Sequence, residues 1–176
     1  MKKEEILKIE EIINRFIDLY KKDTNIWENE RFSHYDFFKL LFDFFDPQEI
    51  REKFKWEYPI GVPSYAKINR DAKVDIIFLD DSKELIAIEI ELTSAGKQFE
   101  NELIKCVQKL KTPPKHGEHM VKGYIIPLLK RNENKKVRGY GGKNYREVCE
   151  DAINKAENEI DDFPIKIVRE GILLQN

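Results

Sequence analysis

Residues Lys73–Gln98 read KVDIIFLDDSKELIAIEIELTSAGKQ, and this stretch decides the fold. Two β-rich runs, KVDIIFL and ELIAIEIEL, flank the turn Asp80-Asp81-Ser82, which is the pattern of a β-hairpin. In the second run side chains alternate between faces, so Glu89 and Glu91 share one face while Ile88, Ile90 and Leu92 share the other. Two like charges one pleat apart, about 7 Å, call for a cation. Asp75 at the head of the first run is the natural neighbour to share it.

Upstream, WEYPI is a third β-rich run set off by Gly61 and Pro63, so residues 56 to 92 predict a three-stranded meander. Ile6, Ile9, Ile13, Phe16, Ile17 and Tyr20 recur at helical spacing and predict an amphipathic helix over residues 3 to 22. A second helix follows, with Ser33 as its cap and Phe37, Phe38, Leu41, Phe44 and Phe45 as a buried face. Asp46-Pro47-Gln48-Glu49 carries a cap, a proline at the first helical position and an acid in the first turn, the start of a short helix. Downstream, Phe99, Leu103, Cys106 or Val107, and Leu110 form the apolar side of a helix running from Gly96 to Pro113-Pro114. VKGYIIPLL reads as a buried strand, Lys130 to Lys143 as a basic loop, Tyr145 to Ile160 as a helix, and PIKIV as a last strand. The order α-α-β-β-β-α-β-α-β is mixed α/β, and the step from Leu85 to Leu129 allows a parallel strand pair with a helical crossover.

The 176 residues suit one domain, read as a helical part (1–55), a core with the acidic motif (56–129) and a basic loop, helix and strand (130–176). The charged start MKKEEILKIEE differs from a signal peptide and no apolar run spans a membrane, so a soluble, cytoplasmic protein is expected. Cys106 and Cys149 fit neither a disulfide framework nor a zinc site. Abundant Lys, Glu and Ile lean toward a thermophile. The net charge of −2 hides an asymmetry, for Leu103 to Arg146 hold twelve lysines and arginines against Glu118 and Glu133, a net of +10. An acidic body with one basic stretch suits a phosphate-binding face, although a solvated loop region has the same composition.

Asp75 and Glu89 offer the hard oxygen ligands that Mg²⁺ or Mn²⁺ prefers. Such an ion polarises a phosphodiester and acidifies a bound water, and Glu91 is placed to be a further ligand or the general base. The plain alternative is a polar face on a half-exposed antiparallel strand.

These residues together resemble the core of the PD-(D/E)XK nuclease superfamily. The match consists of Asp75, the triplet Glu89-Ile90-Glu91 and the helix from Gly96 to Leu110 with Gln98, and it covers residues 25 to 130. The resemblance implies a restriction endonuclease-like mixed sheet flanked by helices and Mg²⁺-dependent cleavage of DNA. It further implies Asp75, Glu89 and the carbonyl of Ile90 as metal ligands. Glu91 stands where the family's lysine is usual, and Val74 where many relatives have proline. A displaced lysine is sought on the next helix, where Lys105 and Lys109 share a face with Gln98. The acid that relatives add from the first helix corresponds to Glu30, with Glu57 on the first strand as its rival. Phosphate contacts are expected from Gln98, Lys109, Lys130, Arg131, Lys135, Lys136, Arg138 and Lys143. The partner is then nucleic acid, in the first instance DNA, and cutting both strands of a duplex favours a homodimer.

Two competing readings stay open: a nuclease-like fold that binds nucleic acid or protein without cutting, and a structural domain whose acids form surface ion pairs. His116 and His119 are flanked by Pro113-Pro114 and Gly117, which argues for a loop rather than a zinc-binding helix. Tyr140-Gly141-Gly142-Lys143 lacks the spacing of a P-loop and reads as a turn, and Trp27 and Trp56 read as packing residues.

Overall fold

The computed structural model of the chain describes residues 1–23, 30–63, 71–93, 96–129 and 136–169. Its elements are α1 (Lys3–Lys22), α2 (Glu30–Leu41), α3 (Pro47–Lys53), β1 (Phe54–Pro59), β2 (Lys73–Leu79), β3 (Glu84–Thr93), α4 (Lys97–Lys111), β4 (His119–Leu129), α5 (Tyr145–Asn158) and β5 (Ile165–Ile167). The strands form one mixed sheet in the order β1-β2-β3-β4-β5. β1, β2 and β3 are antiparallel, as the meander predicts, while β3, β4 and β5 run parallel with α4 and α5 in the connections.

Each face of the sheet has its own core, because the alternating side chains of its strands are apolar on both sides. Ile76, Phe78, Ile86, Ile88, Ile90, Tyr124, Ile126 and Leu128 pack on one face against α1 and α2. Ile77, Leu85, Ala87 and Ile125 pack on the other against α4 and α5. Glu89 belongs by alternation to this second face, so it lies beneath α4 rather than in water. The β2–β3 ladder closes with Ile76 opposite Ile88, although both strands run on. Beyond that pair the next residues in register are Asp75 and Glu89.

Local signals explain most boundaries. Asp46 caps α3 by accepting the amides of Gln48 (2.8 Å) and Glu49 (2.9 Å), and Pro47 costs nothing at the first position, where no intrahelical donor is needed. Asn144 caps α5 through the Glu147 amide at 2.9 Å. The hairpin turn is fastened by Asp80, whose Oδ1 accepts the amides of Ser82 (3.0 Å) and Glu84 (2.9 Å). Ser33 is a correction: α2 already runs from Glu30, so Ser33 is fully buried within the helix and does not cap it. Small side chains suit a point where helices pack closely, and α1 contacts α2. Among the described residues no helix is long and apolar enough to cross a membrane.

β4 passes under α4 at Gly123, where an added Cβ would lie 3.1 Å from Leu110 Cδ1 and 3.2 Å from Ile165 Cγ1. Gly123→Val is therefore expected to overpack this layer and cost about 1–3 kcal/mol, read as a lowered urea midpoint with an unchanged m-value.

Candidate functional site

The registers of the meander put Glu57, Asp75 and Glu89 in one row across β1, β2 and β3. The row is not uniform. Glu57 adopts a φ of 45°, a left-handed conformation rare for a side-chain-bearing residue, and its carboxylate turns out to pair with Lys73 at 2.8 Å. That ion pair holds the exposed Glu57 carboxyl below its usual range. Asp75 and Glu89 instead turn inward where the ladder ends. Asp75 Oδ2 accepts the backbone amide of Ile90 at 2.9 Å, taking over a hydrogen bond that the diverging strands no longer make.

Glu89 is 3% exposed, an uncommon position for a carboxylate. Its Oε2 accepts the Lys109 ammonium at 2.6 Å and lies 3.9 Å from Cys106 Sγ. Its Oε1 is buried with no hydrogen-bond partner among the described residues. Burial and then the neighbouring Asp75 charge push the Glu89 carboxyl well above its ordinary range, and Lys109 opposes this without cancelling it. On Lys109 burial acts downward, but the charges of Glu89 and Asp75 outweigh it and the ammonium is held more tightly than usual. Burial, then Glu89, pushes the Cys106 thiol well up, so it is a neutral neighbour and not a nucleophile. The cluster as a whole binds protons strongly, and a divalent cation would compete for the same place.

His34 on α2 enters from the other side of the sheet, with Nε2 at 3.8 Å from Asp75 Oδ2. Glu91 lies on the Glu89 face one pleat along, partly buried, at the level of Pro127 on β4. Lys105 bonds Glu102 at 2.7 Å and is largely solvated, so Lys109 is the lysine that α4 delivers to Glu89. Gln98 is exposed in the first turn of α4. Lys136 and Arg138 are exposed, and Lys143 pairs with Asp151 of α5 at 2.5 Å. Lys130, Arg131 and Lys135, together with Trp27, lie outside the described residues, as does the side chain of Glu30. Thr93 and Leu129 are paired across β3 and β4, so the two strands end level with each other. His34 has no sequence signal. The lysine was detectable only as one of two on a common face, and its choice depends on where α4 crosses β3.

A hard cation fits this donor set in kind: two carboxylates, one with an unsatisfied buried oxygen, beside a backbone carbonyl. Among the described residues no three His, Cys, Asp or Glu side chains converge into a ready coordination group. A cation here would therefore keep water in several positions, as Mg²⁺ commonly does. No protein-family model matches the chain, and no curated protein matches its sequence at a significant level.

The Glu89–Lys109 pair generates a pH test. A carboxyl raised by burial stabilises the fold below its unfolded value, and that stability is lost as pH rises toward the folded value. Lys109→Met removes the opposing charge, so in metal-free buffer its melting temperature should fall more steeply with pH above about 5 than that of the wild type. The loss near pH 8 should be on the order of 3–5 kcal/mol, the cost of breaking a buried pair. The double variant Glu89→Gln, Lys109→Met should show a flat profile over the same window.

Proposed function

We propose that the chain is a metal-dependent nuclease that hydrolyses phosphodiester bonds, in DNA, on a restriction endonuclease-like arrangement of the sheet. The observation that carries this reading is the meeting of Asp75 and buried Glu89 where β2 and β3 part, with a lysine on Glu89. Parting strands give access to backbone and carboxylate oxygens that a continuous sheet would use internally.

Asp75, Glu89 and the Ile90 carbonyl would hold Mg²⁺ or Mn²⁺. Bound there, the ion supplies positive charge for the phosphate and an acidified water. The remaining work falls to the chain. Glu91, one pleat nearer the strand end, is positioned to take a proton from the attacking water. Lys109 serves as the cation that the triplet lacks, neutralising charge that develops on the phosphate. Ile90 holds Asp75 in orientation through its amide. Gln98, Lys136, Arg138 and Lys143, with Lys130, Arg131 and Lys135, would meet the phosphate backbone, fixing register without reading sequence. Soluble expression in the cytoplasm and a homodimer for double-strand cutting belong to this reading.

A second reading, a nuclease-like domain that binds without cutting, draws on the same lysine, since its ammonium already occupies a ligand oxygen of Glu89.

Purified protein incubated with labelled duplex, single-stranded and branched DNA in Mg²⁺ or Mn²⁺ separates the two. The nuclease reading expects cleavage that Asp75→Ala and Glu89→Ala abolish while salt-dependent DNA binding persists. Lys109→Ala should lower the cleavage rate about 10²–10³-fold, the usual effect of removing one charge-stabilising group. Binding by wild type and variants alike, with no cleavage of any substrate, would leave the non-cutting domain.

A further inference from the structure

The outward side of α2 and the turn that follows it carry exposed aromatic rings. Phe32, Tyr35 and Phe42 are 52%, 60% and 50% exposed, and Trp56 of β1 joins them at 37%. Large exposed rings scattered singly would be unremarkable, but Phe42 and Trp56 are joined through Phe38. Phe38 meets Phe42 edge-on with centroids 5.3 Å apart and meets Trp56 at 5.5 Å. Trp56 in turn lies 6.4 Å from the His34 ring, whose Nε2 is 3.8 Å from Asp75. The row thus runs from open surface to the acidic site without a break.

Cations are set among the rings. Arg31, Tyr35 and Lys39 follow one another at helical spacing on the exposed side, and the Lys39 ammonium, itself bridged to Asp36, stands 4.9 Å from the centre of the Tyr35 ring. Exposed rings interspersed with positive charge and leading to a phosphodiester-cleaving centre match what unpaired nucleotides require: stacking for the base and charge for the phosphate. A duplex conceals its base faces and has no use for such a row. We infer that α2 and Trp56 form a stacking platform for single-stranded nucleic acid, which delivers an unpaired strand to the Asp75–Glu89 site. The inference rests on the nuclease reading for its direction and names the substrate class of that site.

The test measures fluorescence anisotropy of a labelled oligothymidylate and of a blunt duplex of equal length, with Ca²⁺ in place of Mg²⁺. Tighter binding of the single strand is expected. Tyr35→Ala with Phe42→Ala should weaken it at least about ten-fold while duplex binding changes little, as loss of stacked bases predicts. Melting temperature should fall only slightly, since both rings are at least half exposed, and Tyr35→Trp with Phe42→Tyr should restore binding. Equal weakening of duplex and single strand, or no weakening, would overturn the platform. So would a wild type that sediments as a dimer and a double variant that sediments as a monomer, because the rings would then be covered by a second copy. Single-strand cleavage that is indifferent to the ring substitutions would overturn the platform and spare the nuclease. Ring-dependent single-strand binding without cleavage of any substrate would support the platform and sink the nuclease.

Discussion

A carboxylate shut beneath a helix governs this molecule. Glu89 cannot be solvated where β3 places it, so everything around it must answer its charge: Lys109 descends from α4, Asp75 turns aside to bond Ile90, and Cys106 stays neutral. An apolar residue at the same position would pack against α4 with no such demands, and replacing buried ion pairs by apolar residues is often stabilising. Of the row Glu57, Asp75 and Glu89, only the two inner acids are committed in this way, and the outer one is discharged against a surface lysine.

The parallel half of the sheet gives that carboxylate its setting. Because β3 and β4 run side by side to the same end, Glu89 and Glu91 stand level with Ile125 and Pro127 of a strand far from them in the sequence. In parallel α/β sheets ligands gather at the carboxyl ends of strands, where the crossover helices begin. Here the same edge receives Glu91, the start of α4 and the approach to α5.

Much of this was legible beforehand, for identifiable reasons. Period-two alternation in ELIAIEIEL tells which residues share a face, and the turn at Asp80 makes the two strands neighbours, so the approach of Asp75 to Glu89 is legible in local pattern. The cap at Asp46 was equally local. Ser33 differs because a serine that starts a helix and a serine buried inside one look alike in sequence, and only the packing of α2 separates them. His34 was invisible because its relation to Asp75 is set by how α2 lies over the end of the sheet. Helical spacing could name Lys105 and Lys109 but not choose between them, a choice that belongs to tertiary geometry.

The two margins of the sheet are blunt. β5 is only three residues long, and β1, the other outer strand, ends in Pro59 and is bent by the left-handed backbone of Glu57. Unpaired strand margins invite intermolecular pairing, and short length, proline, charge and local twist are the usual means of refusing it. The chain therefore has little capacity to extend its sheet into a neighbour's, and self-association by strand addition, the first step toward fibrous aggregates, is disfavoured at both ends.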